Sequence, residues 1–513
     1  MKRKLKNIIL LSVFGALLTI YSCSKDYLDT TPTESIATPT VFETTEAAQL
    51  AINGICKLMT RQFNGSDFGQ GFNGEGTIKM WYGNYPGNHF TVNLPGWAGI
   101  INGTFRENVT SKYLFYPWYY YYMIIGNANS IILNIDDARG LESEKQFIKA
   151  QALTFRAYAY TMLSQLYCKR WKDSNNGVSE GLVLRLDTST DGLPLSSLKE
   201  VYEQIYLDLD DAIELYNQSG KSRRFNYEPD RSVAYAVYAR AAITKEDYPK
   251  ALQMAQSARA NYPLMSNNEY KSGFYTPNRE WIWSSYGASD ETLYFYSYFA
   301  YIAYNSSASN VRTFPKGINR ELFESIPSSD IRKSLFLDPT GYEYDNSTGE
   351  AKSALTNRAR ALFPDIFSTA KVYAYMQFKI KAEDLPGVGH LNHFRSSEMY
   401  LIEAEANYFM NKTTDAQNSL IALNRSSGRD PEYNCNLTGI ELLNEIKRYR
   451  AIELWGEGFD WFDYKRWGDS IDRKSFAQGG SFISALAVTY GPSEGNNWVW
   501  KIPAKEYEYN DQL

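Results

Sequence analysis

The residues best equipped for chemistry crowd together near the C-terminus. In the run from Arg448 to Gly468, four carboxylates, Glu453, Glu457, Asp460 and Asp463, alternate with cations and with Trp455, Phe459, Trp461, Phe462 and Trp467. Carboxylates whose surroundings drive their acidities apart can act as general acid and base. The composition favours another use of them. Charges among so many rings enter a core only as hydrogen-bonded pairs, so the arginines of the run are expected to neutralise these carboxylates and make the segment a folding keystone. His390 and His393 stand three apart and could share a metal ion, but no Asp, Glu or Cys lies at a supporting spacing, and no metal or other cofactor is expected. No Ser-His-Asp pattern or phosphate-binding loop stands out.

The second chemical resource is aromatic. The 513 residues include 41 Tyr and 11 Trp, more rings with polar tips than a core usually needs. Such rings suit a surface that binds something partly apolar, such as the face of a sugar. The formal net charge is −5, and loss of the leader, with Lys2, Arg3, Lys4 and Lys6, would make it more negative still. That balance argues against nucleic acid, because phosphate contacts need a basic face.

The elements that must carry these residues are mainly helical. Leu442, Ile446, Tyr449 and Ile452 recur at steps of three and four, which predicts an amphipathic helix that Gly456 and Gly458 break. Further helices are expected over 42–59, 116–135, 142–167, 198–215, 232–244 and 248–261, and a second pair over 398–409 and 414–424. The helix at 248–261 has small residues at helical spacing and Pro263 after it, so it resembles the second helix of a tetratricopeptide repeat. Between Phe63 and Gly103, ten glycines with Trp81, Tyr82, Tyr85, His89, Phe90 and Trp97 among them predict a long loop that presents flat side chains. Trp281, Trp283, Tyr294, Tyr296 and Tyr298 alternate like short strands within an irregular segment.

Residues 1–22 combine a basic start with an apolar run from Ile8 to Ile20, too short to span a membrane and suited to a secretory signal. Ser22 before Cys23 resembles a bacterial lipobox, in which cleavage leaves Cys23 as the lipid-bearing first residue. Lys25 and Asp26 resemble a signal for export to the cell surface in Bacteroidetes-type bacteria. A Thr- and Pro-rich tether follows to about residue 40. Cys56, Cys168 and Cys435 are too far apart for a zinc or redox motif and are expected as buried free thiols.

The order Arg-x-Arg-x-x-Glu-Leu from Arg448, then Glu457-Gly458, Asp460-Trp461-Phe462-Asp463 and Lys465-Arg466-Trp467, is similar to the C-terminal signature of SusD/RagB outer-membrane lipoproteins. The lipobox, the helix order and the ending Trp500-Lys501-Ile502-Pro503, similar to that family's closing strand, extend the resemblance over nearly all of residues 23–513. It implies a mainly α fold with repeat-like helix pairs and a loop-rich remainder with short strands. One domain would span 41–513, with parts at 41–265, 266–395 and 396–513. The implied role is capture of glycan for a SusC-like TonB-dependent transporter, without catalysis. Relatives form such sites from parts like 63–103 and 274–304, which selects Trp97 and Trp81, then Trp283, Tyr298 and Tyr301, with Asp67 and Asn84 as polar contacts. A peptide cargo, as in the RagB branch, and a secreted helical glycoside hydrolase remain as alternatives.

Overall fold

The computed structural model describes residues 41–63, 68, 71–287, 296–492 and 498–513. Its frame consists of α1 (Thr45–Leu58), α2 (Lys112–Asn134), α3 (Glu142–Tyr167), α4 (Leu198–Ser219), α5 (Arg231–Thr244), α6 (Tyr248–Arg259), α7 (Ser353–Leu362), α8 (Ser396–Phe409), α9 (Thr413–Ile421), α10 (Gly439–Glu453) and α11 (Asp460–Trp467). Helix α2 packs on α3, α3 on α4, α5 on α6 and α8 on α9, and α6 lies against α8, so the two repeat-like pairs are joined directly. One hydrophobic core draws side chains from Ala48 through Trp500.

Capping chemistry fixes several boundaries. Ser197 and Glu200 form a capping box that starts α4, and Gly220, at φ 60°, ends it. Helix α2 starts at Lys112, earlier than its rings suggest, because the Ser111 hydroxyl accepts from the Tyr113 N–H. Pro117 therefore sits inside the helix, where its missing N–H would orphan the Tyr113 carbonyl. The Tyr82 hydroxyl donates to that carbonyl at 2.7 Å, which is how the helix tolerates the proline.

The strands are short antiparallel pairs: β1 (Phe90–Val92) with β5 (Lys316–Ile318), β2 (Glu180–Val183) with β3 (Leu195–Ser197), β4 (Trp281–Ser285) with β6 (Leu391–Arg395), and β7 (Ile471–Asp472) with β8 (Thr489–Tyr490). In the β4–β6 pair Trp281 lies opposite Arg395 and Ser285 opposite Leu391. Two sequence expectations fail here. Tyr298 belongs to the short helix Tyr298–Ile302, capped by the Ser297 hydroxyl, and not to a strand. Residues 500–503 form no strand; instead the Trp500 and Lys501 N–H groups donate to the Leu166 and Arg106 carbonyls.

Over residues 71–103 the expected loop is not a flexible one. It runs through the turn Gly74–Thr77, the π-helical turn Ile78–Asn84 and β1, and most of its side chains are buried. One of its glycines serves close approach. A Cβ at Gly83 would lie 2.1 Å from the Gly458 carbonyl oxygen. Gly83→Ala should therefore cost about 1–3 kcal/mol of stability by forcing two backbones apart, read as a lowered denaturant midpoint.

The carboxylates of the keystone run are paired, but Glu453 and Glu457 draw their cations from outside the run and not from its own arginines. Arg395 meets Glu280 at 2.8 Å, Glu453 at 2.7 Å and Glu457 at 2.8 Å. Arg429 and Arg332 reach the same Glu453, Arg429 also meets Glu280, Arg332 takes Asp330, and Lys379 takes Glu457. Four cations thus face four carboxylates, all of them buried. Burial pushes the Glu453 carboxyl up, but Arg429, Arg395, Arg332 and Lys379 outweigh it and hold the group well below the usual carboxylate range. Glu457 is lowered in the same way, chiefly by Arg395 and Lys379 acting against burial. Carboxyls depressed in the folded state contribute stability above their unfolded pKa, near 4.5, and lose it as pH falls further. Thermal melts should show the transition dropping steeply below about pH 4.5 and little change from there to neutrality.

Candidate functional site

The acid and base candidates are engaged in structure. Glu453 and Glu457 belong to the balanced cluster, and Asp463 accepts from Arg450 at 2.7 Å and from Arg466 at 2.9 Å. Asp460 accepts from the His89 N–H at 2.7 Å and faces His89 Nδ1 at 2.8 Å, which ties β1's approach to the start of α11. Lys465 donates to the Gln165, Leu166 and Cys168 carbonyls and so caps the C-terminus of α3. The His393 ring lies 2.6 Å from the Ser285 hydroxyl and packs on Trp283, while His390 stands edge-on to Tyr286. Burial, aided by Lys79 and Arg240, holds the His393 imidazole well below its usual pKa. The two histidines are therefore held by separate neighbours.

The structure treats the ring candidates unequally. Trp283 is buried against Phe155, Tyr158 and Phe394, and its Nε1 donates to the Tyr227 carbonyl at 3.0 Å. Tyr298 is buried and donates to the Gly456 carbonyl at 2.7 Å. Asn84 donates to the same carbonyl at 2.7 Å and accepts from the Gly458 N–H at 2.9 Å, so it clamps the turn between α10 and α11. Gly456 and Gly458 hold positive φ there, which leaves their polar groups facing these two clamps. As ligand platforms Trp283, Tyr298 and Asn84 are corrected: a sealed side chain with its polar end already bonded has no free face to offer. Cys23 and Asp67 lie outside the described residues.

Trp97, Trp81 and Tyr301 come together. The Trp81 ring centroid lies 5.5 Å from Trp97 and 5.8 Å from Tyr301, both edge-to-face, and Trp97 lies 6.2 Å from Tyr301. Trp81 and Tyr301 are buried, so they too are corrected as direct platforms, whereas Trp97 is half-buried. Trp97 closes the 3-10 turn Pro95–Trp97, in which Pro95 and Gly96 are exposed. Leu94 before it and Ile100 and Ile101 after it are buried, so the chain rises out of the core for one turn and carries the indole with it.

Beneath that indole lie two polar atoms of aromatic side chains and a glycine. Among the described residues the Trp81 Nε1 and the Tyr301 hydroxyl are buried without a hydrogen-bond partner. Gly71, at φ 104°, lies over both: a Cβ there would come within 3.0 Å of the Trp81 ring and 3.2 Å of the Tyr301 hydroxyl. Tyr296, half-buried, flanks Tyr301 at 6.4 Å and joins the shelf, although its sequence pattern suggested only strand alternation. Its placement follows from the Ser297 cap, a Ser directly after the ring and before a helical turn, which is the signal that could have found it.

Comparison with known proteins agrees with this architecture. Residues 77–243 match the family model described as starch-binding associating with outer membrane, and residues 373–513 match the model described as SusD family. The SusD-like protein P2 of Formosa agariphila is 25% identical over 502 residues, covering 88% of each chain. A SusD-like carbohydrate binding protein from Bacteroides vulgatus superposes with a TM-score of 0.74 at 22% identity, over 92% of this chain and 98% of that one. Surface glycan-binding protein A from Bacteroides thetaiotaomicron gives 0.65 at 16% identity, again over 92% and 98%. No helix among the described residues is long and apolar enough to cross a membrane. With its signature run forming the charged heart of such a fold, one family model spanning that run and another matching residues 77–243, the chain belongs to the SusD/RagB family, whose members associate with the outer membrane.

Proposed function

We propose that the chain is a surface lipoprotein, anchored through Cys23, that captures oligo- or polysaccharide and passes it to a SusC-like TonB-dependent transporter. The observation that carries the reading is Trp97, a half-buried indole lifted on an exposed Pro-Gly turn and braced from behind by Trp81 and Tyr301. A braced flat ring with one open side fits the apolar face of a pyranose, and the neighbouring Tyr296 extends the platform. Families described as starch-binding and as SusD support carbohydrate as the ligand class. Catalysis is not part of the proposal. A glycoside hydrolase needs one carboxyl free to donate a proton and a second free to attack or activate water. The carboxylates of the signature run are instead consumed by ion pairs and hydrogen bonds.

A glycan array with the mature chain tests the reading, run beside a reducing-end assay on the same polysaccharides. The expected outcome is retention of at least one glycan with no new reducing ends. Retention of peptides alone would favour the RagB-like alternative, and release of reducing ends would replace the proposal with a hydrolase.

A further inference from the structure

A second opening lies away from the Trp97 shelf. It is a cleft of about 390 Å³ at the junction of the α5–α6 turn, the end of α8, the face of α10 and the end of α11. Tyr248, Phe409 and Trp467 put rings into its wall among charged side chains. Phe409, 39% exposed, stacks on Tyr248 at 4.5 Å, and Trp467 lines the opening, half-buried.

Most charges in the cleft are already spent. Glu405 accepts from both Arg466 terminal nitrogens and from the Trp467 indole, Arg466 also donates to Asp463, and Lys447 meets Asp469 at 2.6 Å. Two groups stand apart. Glu246, half-buried, has no side-chain hydrogen bond or ion pair among the described residues, and Lys172 is exposed at the rim. Glu246 also occupies a left-handed backbone position, φ 61°, at the turn between α5 and α6, which Gly or Asn would fill more cheaply. Burial raises its carboxyl against the pull of Lys172, Arg170 and Arg466. A side chain kept at a strained position, partly desolvated and given no internal partner is placed for something that arrives from outside.

We propose that this cleft is a second carbohydrate subsite, which takes the end of a neutral glycan with a ring against Phe409 or Trp467 and hydroxyls bridging Glu246 and Lys172. The ligand class follows from the lining. A hydroxyl both donates and accepts, so it satisfies a carboxylate and an ammonium at once. An acidic sugar would meet Glu246 and Glu405, and a cationic group would meet Lys172, Lys447 and Arg466. The volume is that of a small-ligand site. The inference rests on the carbohydrate-binding reading above and adds a place for it.

Saturation-transfer NMR with methyl α-glucoside, methyl α-mannoside and methyl β-galactoside tests it on the full mature chain. Wild type and Trp97→Ala should both receive at least one of the three. In the Trp97→Ala background, Glu246→Gln and Phe409→Ala should each weaken that binding about tenfold or more. Glu246→Gly should weaken it equally while keeping or raising the melting temperature, which separates lost recognition from lost folding. Binding that survives both substitutions overturns the subsite, as does a wild type that takes none of the three glycosides. If Trp97→Ala alone removes all binding, the cleft is empty while the Trp97 reading stands. If polymeric glycans fail on the array but a methyl glycoside still depends on Glu246, the shelf falls and the cleft remains.

Discussion

Arg395→Met should cost about 3–5 kcal/mol of folding stability, a large fraction of the roughly 5–15 kcal/mol that holds a domain together. The side chain is almost fully buried and bonds to three carboxylates and to the Glu453 carbonyl. Its loss leaves three cations against four carboxylates in a place where water cannot compensate, so the surplus charge must be desolvated, protonated or exposed by partial unfolding. Chemical denaturation read by tryptophan fluorescence measures the loss. The matched control is Arg320→Met, which removes the partly exposed Arg320–Glu324 pair and should change the folding stability by less than about 0.5 kcal/mol. If both variants behave alike, the buried cluster is not what holds the α10–α11 signature in place.

Trp97→Ala should weaken glycan binding by about 2–4 kcal/mol, which is roughly thirtyfold to a thousandfold in Kd, with the fold intact. The ring is half-buried at the tip of a surface turn and packs on Trp81 and Tyr301, so its removal bares part of those two rings but takes no fully buried side chain out of the core. Trp283→Phe should do the reverse. That indole is sealed among Phe155, Tyr158 and Phe394 and donates to Tyr227, so its loss lowers stability and leaves affinity unchanged. The pair separates a residue that touches ligand from one that only builds the scaffold.

The contrast between these two tryptophans marks where reading the sequence succeeds and where it stops. Periodicity placed α3 at Glu142–Tyr167, because Ala152, Phe155, Ala159 and Leu163 recur at helical spacing, although that spacing did not show that the helix is buried on every face from Ala150 to Tyr167. That the carboxylates of the signature run must be paired was also legible, since charges among rings have no other tolerable state; the partners of Glu453 and Glu457, which are Arg332, Lys379, Arg395 and Arg429 from outside the run, were not. Which ring stays at the surface was not. Trp81 and Trp97 sit in the same glycine-rich stretch, and their exposure depends on partners more than 200 residues away, such as Tyr301. Asn84 looked like a ligand contact because a polar residue between rings has the same composition as a sugar site. Its amide bonds to Gly456 and Gly458, a contact across some 370 residues of chain that no local spacing encodes. Tyr298 shows the limit of alternation: every second residue is aromatic there, yet Ser297 caps a helical turn and overrides the strand pattern.

Isothermal titration calorimetry of the mature wild type and Trp97→Ala, with the glycan that the array selects, tests the central claim most directly. The account predicts an affinity at least about thirtyfold weaker for the variant, which still melts in one cooperative transition. Equal affinities for the two proteins would contradict it.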